Sequence, residues 1–448
     1  MLCPQAQNLL RARVTAGISS AALARFGAPL RNRSFRSLLL ALSGVPITAS
    51  YLWNTLLIPL AFPSSIPPTD FHETYLAAAR AIAASQDPYG PCHNLVCYGQ
   101  MTNSASVYPP LSGWLLQPVI SLNPRLVDAG ALIACHVFVI VFLICVIAAL
   151  RISDWQARLL CVIGTLSYPP LLDQIRFVNL QVALLGLSGI WLLGWMRGDS
   201  WWGGIAAGMG VALKLVQAPS LLLMALRLQR RMLAAALAVW AALWLIAVPQ
   251  YLPEYLFKVL PAAGSGTGYA KNISAIGAVA RLLHPDSLGN TALGTGVGPL
   301  ERTVALLFAL VVLAVTTYCL ARSAQSPERR SLEAAAAVAV APLISTLVWP
   351  GHLALLLLTF LALGAFAVRR SDWRLLTLAV VAWILTGPIY LAFTNAYAAG
   401  YYWLPFTRAW AESALFGAVL LWITVLIAMR RQGDRSEVRD LSVQPVMG

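Results

Sequence analysis

The sequence predicts an all-α integral membrane protein, a polytopic bundle of about twelve transmembrane helices. Of the 448 residues, 59% are hydrophobic and only 11% are charged, whereas soluble globular domains contain about 25% charged residues. Mean hydropathy is +0.73, and apolar runs recur from Leu38 to near the end of the chain. Because a helix needs about 20 apolar residues to cross a hydrocarbon core, these runs exclude an ordinary soluble enzyme.

Twelve segments fit such spans, four of them short. They are 36–62, 127–150, 157–172, 178–196, 201–214, 216–228, 231–250, 300–321, 331–347, 352–368, 373–394 and 408–430. The short pair on either side of Lys214 is interrupted by glycines and Pro219. It fits either two short helices or one kinked helix.

The distribution of arginine predicts the orientation. With a cytoplasmic N-terminus, the inner segments carry most of the arginines, while all three lysines fall on the outer side, as the positive-inside rule favours. The net charge of +14 therefore reflects topology and not nucleic-acid binding. We expect a plasma-membrane protein with an Arg-rich cytoplasmic tail (1–35), one membrane domain (36–430) and a disordered cytoplasmic tail (431–448). Residues 1–35 also have the composition of a transit peptide.

Two outer loops, 63–126 and 251–299, are too long to be simple turns. Asp70, the first acidic residue of the chain, opens an amphipathic helix in the first loop that runs to the turn Asp87-Pro88-Tyr89. Tyr108-Pro109-Pro110 then precedes an apolar segment, 111–120, that is too short to span. The first loop is therefore predicted to contain two interfacial helices.

The cysteines of this loop fit two structures. Cys92 and Cys97 fit a small disulfide loop in an oxidising compartment, or a metal site with His93. No further metal ligands cluster there, and we expect no metal or cofactor.

This topology places a set of polar residues from many helices near the outer face. They are Asp70, His72, Glu73, Asp173, Arg176, Asn179, Gln181, Lys214, Gln217, Lys258, Lys271, Asn272 and His352. An ionisable group at the edge of a membrane is costly and commonly functional.

Three of these residues fit both a structural and a chemical role. Asp70 fits a helix N-cap or a general base. Lys214, in an apolar context, fits snorkelling to the interface or a contact to a lipid phosphate. His352 fits a hydrogen-bonded packing residue beside Trp349 or a functional one.

The motifs of the outer face resemble a known family, the polyprenyl-phosphate-sugar-dependent glycosyltransferase family 87 of the GT-C class. The resemblance covers about residues 38–370. Its elements are an Asp in an aromatic-rich helix (Asp70-Phe71), a Pro-Tyr turn (Pro88-Tyr89), Tyr108-Pro109-Pro110, Asn272-Ile273-Ser274 and the stretch from Ser345 to His352. The chain departs from the family where Gly351 replaces the first of two histidines and where Lys214 and Pro219 are more widely spaced.

The resemblance implies transfer of mannose, or alternatively arabinofuranose, from a polyprenyl-phosphate donor to a glycolipid or cell-envelope glycan outside the cell. Asp70 would be the catalytic base, and His352 would hold the acceptor or the leaving phosphate. Lys214, Arg176 and Lys271 would bind the donor phosphate. The remaining expected substrate contacts are His72, Glu73, Tyr108, Asn179, Asn272 and Trp349.

A lipid or sugar transporter or flippase is the alternative of a different class. Such proteins often contain repeated halves with broken helices at matching positions. The sequence has one broken pair and no repeat, which favours an enzyme.

Overall fold

In the computed structural model, residues 33–61, 70–89, 107–289, 293–321, 326–392 and 410–441 are described, and every regular element within these ranges is helical. The principal helices are α1 (Arg33–Leu52), α2 (Ala77–Ala83), α3 (Leu111–Leu116), α4 (Pro124–Ala149), α5 (Trp155–Leu166), α6 (Pro169–Arg176), α7 (Gln181–Arg197), α8 (Trp201–Leu213), α9 (Pro219–Leu226), α10 (Arg230–Ala247), α11 (Ala275–Leu283), α12 (Pro299–Ala321), α13 (Pro327–Ile344), α14 (Leu356–Arg369), α15 (Trp373–Ile384) and α16 (Ser413–Leu441).

Short helical pieces extend or join these helices. The π-helical and 3-10 turns are Trp53–Leu57, Phe71–Leu76, Gln117–Val119, Leu215–Gln217, Pro249–Tyr251, Tyr255–Val259, Pro285–Gly289, Pro350–Leu355 and Leu385–Ile389. Short α-helical pieces lie at Ile58–Ala61, Leu252–Glu254 and Leu260–Gly264.

The all-α membrane architecture predicted from the sequence is confirmed. Within the described ranges, six helical segments are long and apolar enough to cross a membrane: Pro124–Ala149, Arg230–Ala247, Pro299–Ala321, Pro350–Arg369, Trp373–Ala392 and Ser413–Gln432. Shorter apolar helices lie at Trp155–Leu166, Trp201–Leu213 and Leu215–Leu226. Each of the twelve predicted spans contains a helix, and a count of twelve crossings stays a prediction.

Side chains at the helix starts explain several boundaries. The Oδ1 atom of Asp154 accepts a hydrogen bond from the Ala157 N–H at 2.8 Å, and Asn123 and Asp372 cap α4 and α15 in the same way. Asp199 instead accepts from the N–H groups of Arg231 and Met232 at the start of α10. These oxygens satisfy N–H groups that have no partner within their own helix.

The chain on either side of Lys214 forms two short helices and not one kinked helix. Helices α8 and α10 run parallel, since Gly204 lies against Met232 and Gly208 against Ala236. The intervening α9 must therefore return the chain to the end where α8 began. A Cβ at either glycine would overlap the backbone of α10, so glycine is what permits this close packing.

Helices α4 and α7 also run parallel, because Gly186 lies against Phe138 and Gly189 against Phe142. Helix α8 runs antiparallel to α7, with Gly194 against Gly203. The starts of α4 and α7 and the end of α8 consequently meet at one end of the bundle. The segment Pro350–Leu355 joins them there by packing on α6 and α7.

The two predicted helices of the first loop pack against each other. Gly113 of α3 lies against Ala78 and Ala79 of α2. At the other end of the chain, α16 continues to Leu441, beyond the predicted end of the membrane domain at 430, and the disordered cytoplasmic tail stays a prediction. Extending an existing helix needs no new nucleus, and the next proline in the sequence is Pro445.

Candidate functional site

Asp70 lies at the start of the π-helical segment Phe71–Leu76, with its side chain turned toward the bundle. Its Oδ2 atom accepts a hydrogen bond from Asn179 Nδ2 at 2.6 Å, and it makes no helix-capping hydrogen bond. The N-cap interpretation is therefore wrong. Burial raises the pKa of the Asp70 carboxyl above its ordinary value, and the hydrogen bond from Asn179 offsets only part of that rise.

The turn between α6 and α7 holds Asn179 in place. Val178 has φ of +48°, a conformation that β-branched residues rarely adopt. The Asn179 N–H donates to the Gln174 carbonyl at 2.9 Å, and Asn179 Oδ1 accepts from the Gln181 N–H at 2.9 Å. Backbone strain of this kind persists where the surroundings fix the conformation, and here it aims an amide at Asp70.

Lys214 lies at the break between α8 and α9, where its φ of −162° and ψ of 122° end the helix. Its side chain is only 8% exposed. The Nζ atom lies 2.8 Å from His352 Nε2 and 4.6 Å from the centre of the Tyr108 ring. The Lys214 side chain therefore does not extend to the solvent, and the snorkelling interpretation is wrong.

His352 is fixed by the 3-10 segment Pro350–Leu355. Its Nδ1 atom accepts a hydrogen bond from the Trp349 N–H at 3.2 Å, and its carbonyl accepts from Gln181 Nε2 at 3.3 Å. Beside it, a Cβ at Gly351 would overlap the Gln174 carboxamide. Gln174 thus fills the space where the resemblance places another histidine.

These contacts connect the Asp70 carboxyl group with the Lys214 amine. Asn179 contacts Asp70, and Gln181, two residues later, contacts His352, which contacts Lys214. On the other side, Tyr75 from the Asp70 helix lies 5.4 Å from Tyr108, ring centre to ring centre. Segments that are more than 100 residues apart in sequence therefore form one site.

Four other predicted residues lie outside this network. His72 Nε2 is 2.8 Å from Asp128 Oδ1 at the start of α4. Glu73, Arg176 and Lys271 have exposed side chains. Their contacts to substrate, including the donor-phosphate contacts of Arg176 and Lys271, stay predictions, and none of them forms a hydrogen bond to Asp70, Lys214 or His352 in the part of the chain that is described.

Asn272 has a structural role that the sequence did not reveal. Its Nδ2 donates to the carbonyls of Thr267 and Thr346, and its Oδ1 accepts from the N–H groups of Ser274 and Val348. With its amide engaged in this way, Asn272 ties the second outer loop to the segment before His352. Trp349, in that segment, packs edge-on against Tyr269 at 5.9 Å.

A buried ion pair supports the same loop. Arg281, 1% exposed, donates to both carboxylate oxygens of Glu412 and to the carbonyls of Tyr269 and Asn272. This pair could not be predicted from the sequence, because its members are 131 residues apart and lie in no common motif.

Cys92, His93 and Cys97 lie outside the described residues. Within the part of the chain that is described, no three His, Cys, Asp or Glu side chains group as metal ligands.

Residues 107–350 match the family model for glycosyltransferase family 87. The chain belongs to this family. It is therefore a membrane glycosyltransferase, which uses a sugar donor and an acceptor. The match contains Tyr108, Asn179 and Lys214 but not Asp70 or His352. Curated proteins yield no match to the chain.

Proposed function

We propose that this protein transfers mannose from a polyprenyl-phosphate-linked donor to a hydroxyl of a glycolipid or cell-envelope glycan. The reaction takes place on the extracytoplasmic side of the plasma membrane, with both termini in the cytoplasm. The supporting observation is the network that links a half-buried carboxylate, Asp70, to a buried amine, Lys214, through Asn179, Gln181 and His352.

The chemistry is a single displacement. The acceptor hydroxyl attacks the anomeric carbon while the Asp70 carboxylate takes its proton. The bond between the anomeric carbon and the phosphate oxygen breaks, and polyprenyl phosphate leaves. Since attack and departure occur on opposite faces of the sugar, the anomeric configuration inverts.

Lys214 is placed to stabilise the phosphate charge. A group that meets charge developing on a leaving group often contributes the largest part of catalysis. The phosphate requires a cation in a region of low polarity, and Lys214 is the lysine buried beside His352. Arg176 and Lys271 are exposed and would contact the donor from the solvent side.

An apolar cavity lies next to Lys214. Its lining includes Val216, two residues after Lys214, and Leu355, three residues after His352, together with Trp191 and Ala341. At about 20 Å³ this cavity holds no more than about one water molecule, so the polyprenyl chain of the donor would lie outside it. A lipid-linked donor is proposed because the proposed site faces outward, whereas nucleotide sugars are cytoplasmic.

The test is transfer of labelled mannose from polyprenyl-phosphate-mannose to a membrane glycolipid extract by purified protein. Wild type and Asp70→Asn are compared with Asp154→Asn as the control, because Asp154 only caps α5 and asparagine is an equally good cap. We expect transfer by wild type and Asp154→Asn alone. Transfer by Asp70→Asn at the wild-type rate would overturn the role of Asp70, and transfer only from polyprenyl-phosphate-arabinose would overturn mannose.

A further inference from the structure

The hydrogen bonds around His352 restrict where its proton can be. A backbone N–H is always a donor, so the Trp349 N–H at 3.2 Å from Nδ1 requires a lone pair on Nδ1. A neutral imidazole carries one proton, which must then be on Nε2. The Nε2–H group therefore points at Lys214 Nζ, 2.8 Å away.

This contact restricts Lys214 as well. An ammonium has three N–H donors and no lone pair, so a charged Lys214 would place N–H against N–H at hydrogen-bonding distance. Only an uncharged amine can accept from the imidazole. Among the described residues, His352 is the one hydrogen-bond partner of Lys214, so an ammonium would also leave its donors unsatisfied in a buried site.

Other charged and titratable groups face this pair from the surrounding segments. Asp70 favours the charged form of Lys214, as does the ring face of Tyr108. Asp173 and Arg176 lie on α6, and Lys271 lies on the second loop. The rival tautomer has its proton on Nδ1, toward the Leu347 carbonyl, but it would set that proton against the Trp349 N–H.

From this geometry we infer that Lys214 is an uncharged amine in the resting protein and takes up one proton when a phosphate anion binds beside it. The inference rests on the proposed function for the identity of the anion. The amine nitrogen gains a proton from the solvent, and the resulting ammonium donates to the phosphate oxygens. Binding of the lipid phosphate is thereby linked to one proton.

The chain suits a direct test because it has only three lysines, Lys214, Lys258 and Lys271. We would label lysine with ¹⁵N, assign each Nζ signal with a Lys→Arg variant, and record the pH titration in nanodiscs. Lys258, which is exposed and paired with Glu254, is the internal reference. We expect the Nζ signal of Lys214 in the ligand-free protein to be that of an amine.

The ligand arms are farnesyl phosphate, inorganic phosphate and uncharged farnesol. We expect farnesyl phosphate to convert the Lys214 signal to ammonium and farnesol to leave it unchanged. Calorimetry in buffers of different ionisation enthalpy should report uptake of about one proton on binding. The affinity for farnesyl phosphate should fall by up to about tenfold for each unit of rising pH, over the range in which Lys214 is protonated only in the bound form. Conversion by inorganic phosphate as well would show that the headgroup alone is recognised.

Lys214→Arg is the matched control, because a guanidinium stays charged at every accessible pH. Its binding of farnesyl phosphate should take up no proton. An ammonium signal for Lys214 in the free protein, or binding of farnesyl phosphate without proton uptake, would overturn the inference and leave the proposed function standing. No binding of farnesyl phosphate together with no mannose transfer would overturn both.

Discussion

Two pairs of ionisable residues at opposite ends of this bundle, Arg227 with Glu333 and Asp70 with Lys214, have different kinds of partner. At the end where α9 meets α10, Arg227 and Glu333 are paired through a bidentate contact, with Arg227 Nε 3.2 Å from Glu333 Oε2. Arg329 Nε lies 3.5 Å from the same carboxylate, and its Nη2 atom donates to the Cys319 carbonyl at 2.7 Å. Each buried charge there has an opposite charge or a carbonyl dipole beside it.

At the other end, Arg281 and Glu412 also form a buried ion pair, but the partners of Asp70 and Lys214 are neutral. Asp70 is held by the amide of Asn179 and Lys214 by the imidazole of His352, and no salt bridge to either joins the described residues. Burying an ionisable group without a counter-charge destabilises its charged form. The paired charges around Arg227 fit a structural role, whereas the neutral partners of Asp70 and Lys214 fit the proposed role of these two residues in catalysis and phosphate binding.

The largest effect is expected from Asp70→Asn. Loss of the general base should lower the transfer rate by up to about 10⁴-fold, while unfolding in detergent should change little, because asparagine keeps the shape and an oxygen for Asn179. The measurements are single-turnover transfer and thermal unfolding. A large loss of folded protein would show that Asp70, like Glu333, stabilises the fold.

Glu333→Gln should lower stability and leave donor binding unchanged, which is the opposite of the result expected for Asp70→Asn. Removing one partner of a buried ion pair costs about 3–5 kcal/mol of stability, so the yield of folded protein and its denaturation midpoint should fall. The KM for the donor in the surviving protein should match wild type. Replacing all three charges, in Arg227→Met with Arg329→Met and Glu333→Leu, should restore much of the stability, and failure to do so would contradict a role limited to charge pairing.

Lys214→Met should reduce transfer by about 10²- to 10³-fold, the usual effect of removing one group that stabilises developing charge. Stability should be nearly unchanged, because methionine fills a similar volume. Lys258→Met, at an exposed lysine paired with Glu254, is the matched control and should transfer normally. Equal losses in both variants would point to general surface charge instead of a specific contact.

The smallest effect concerns pH. Burial raises the pKa of Asp70, and a general base acts as the carboxylate, so activity should rise with pH through a value above that of an exposed aspartate. Asn179→Asp keeps the acceptor for the Gln181 N–H but replaces the donor to Asp70 with a negative charge. The acidic limb of the pH profile should move upward by about one unit or more.

If the acidic limb of the pH–activity profile does not shift in Asn179→Asp, the group that titrates in this limb is not Asp70. Asn179→Ala provides the comparison, since it removes the donor without adding charge. Its limb should lie between those of the wild type and Asn179→Asp.

Local patterns were enough to predict the helices and the face on which Asp70, Lys214 and His352 meet. Hydropathy identifies the spans, and an ionisable residue within an apolar run is recognised from its immediate neighbours in the sequence. The pairing of these residues could not be predicted, because Lys214 and His352 are 138 residues apart. The sequence likewise could not show that Asn272 is occupied by backbone groups, or that Gln174 fills the space beside Gly351.

The length of α8 has a consequence for where the reaction takes place. Its 13 residues rise only about 20 Å, whereas a bilayer core is about 30 Å thick. Lys214, at the tip of this helix, would then lie roughly a third of the core thickness below the far surface. Either the bilayer is locally thinner at this position, or the donor headgroup enters the hydrocarbon region to contact the Lys214 amine. In both cases the rate of transfer depends on bilayer thickness.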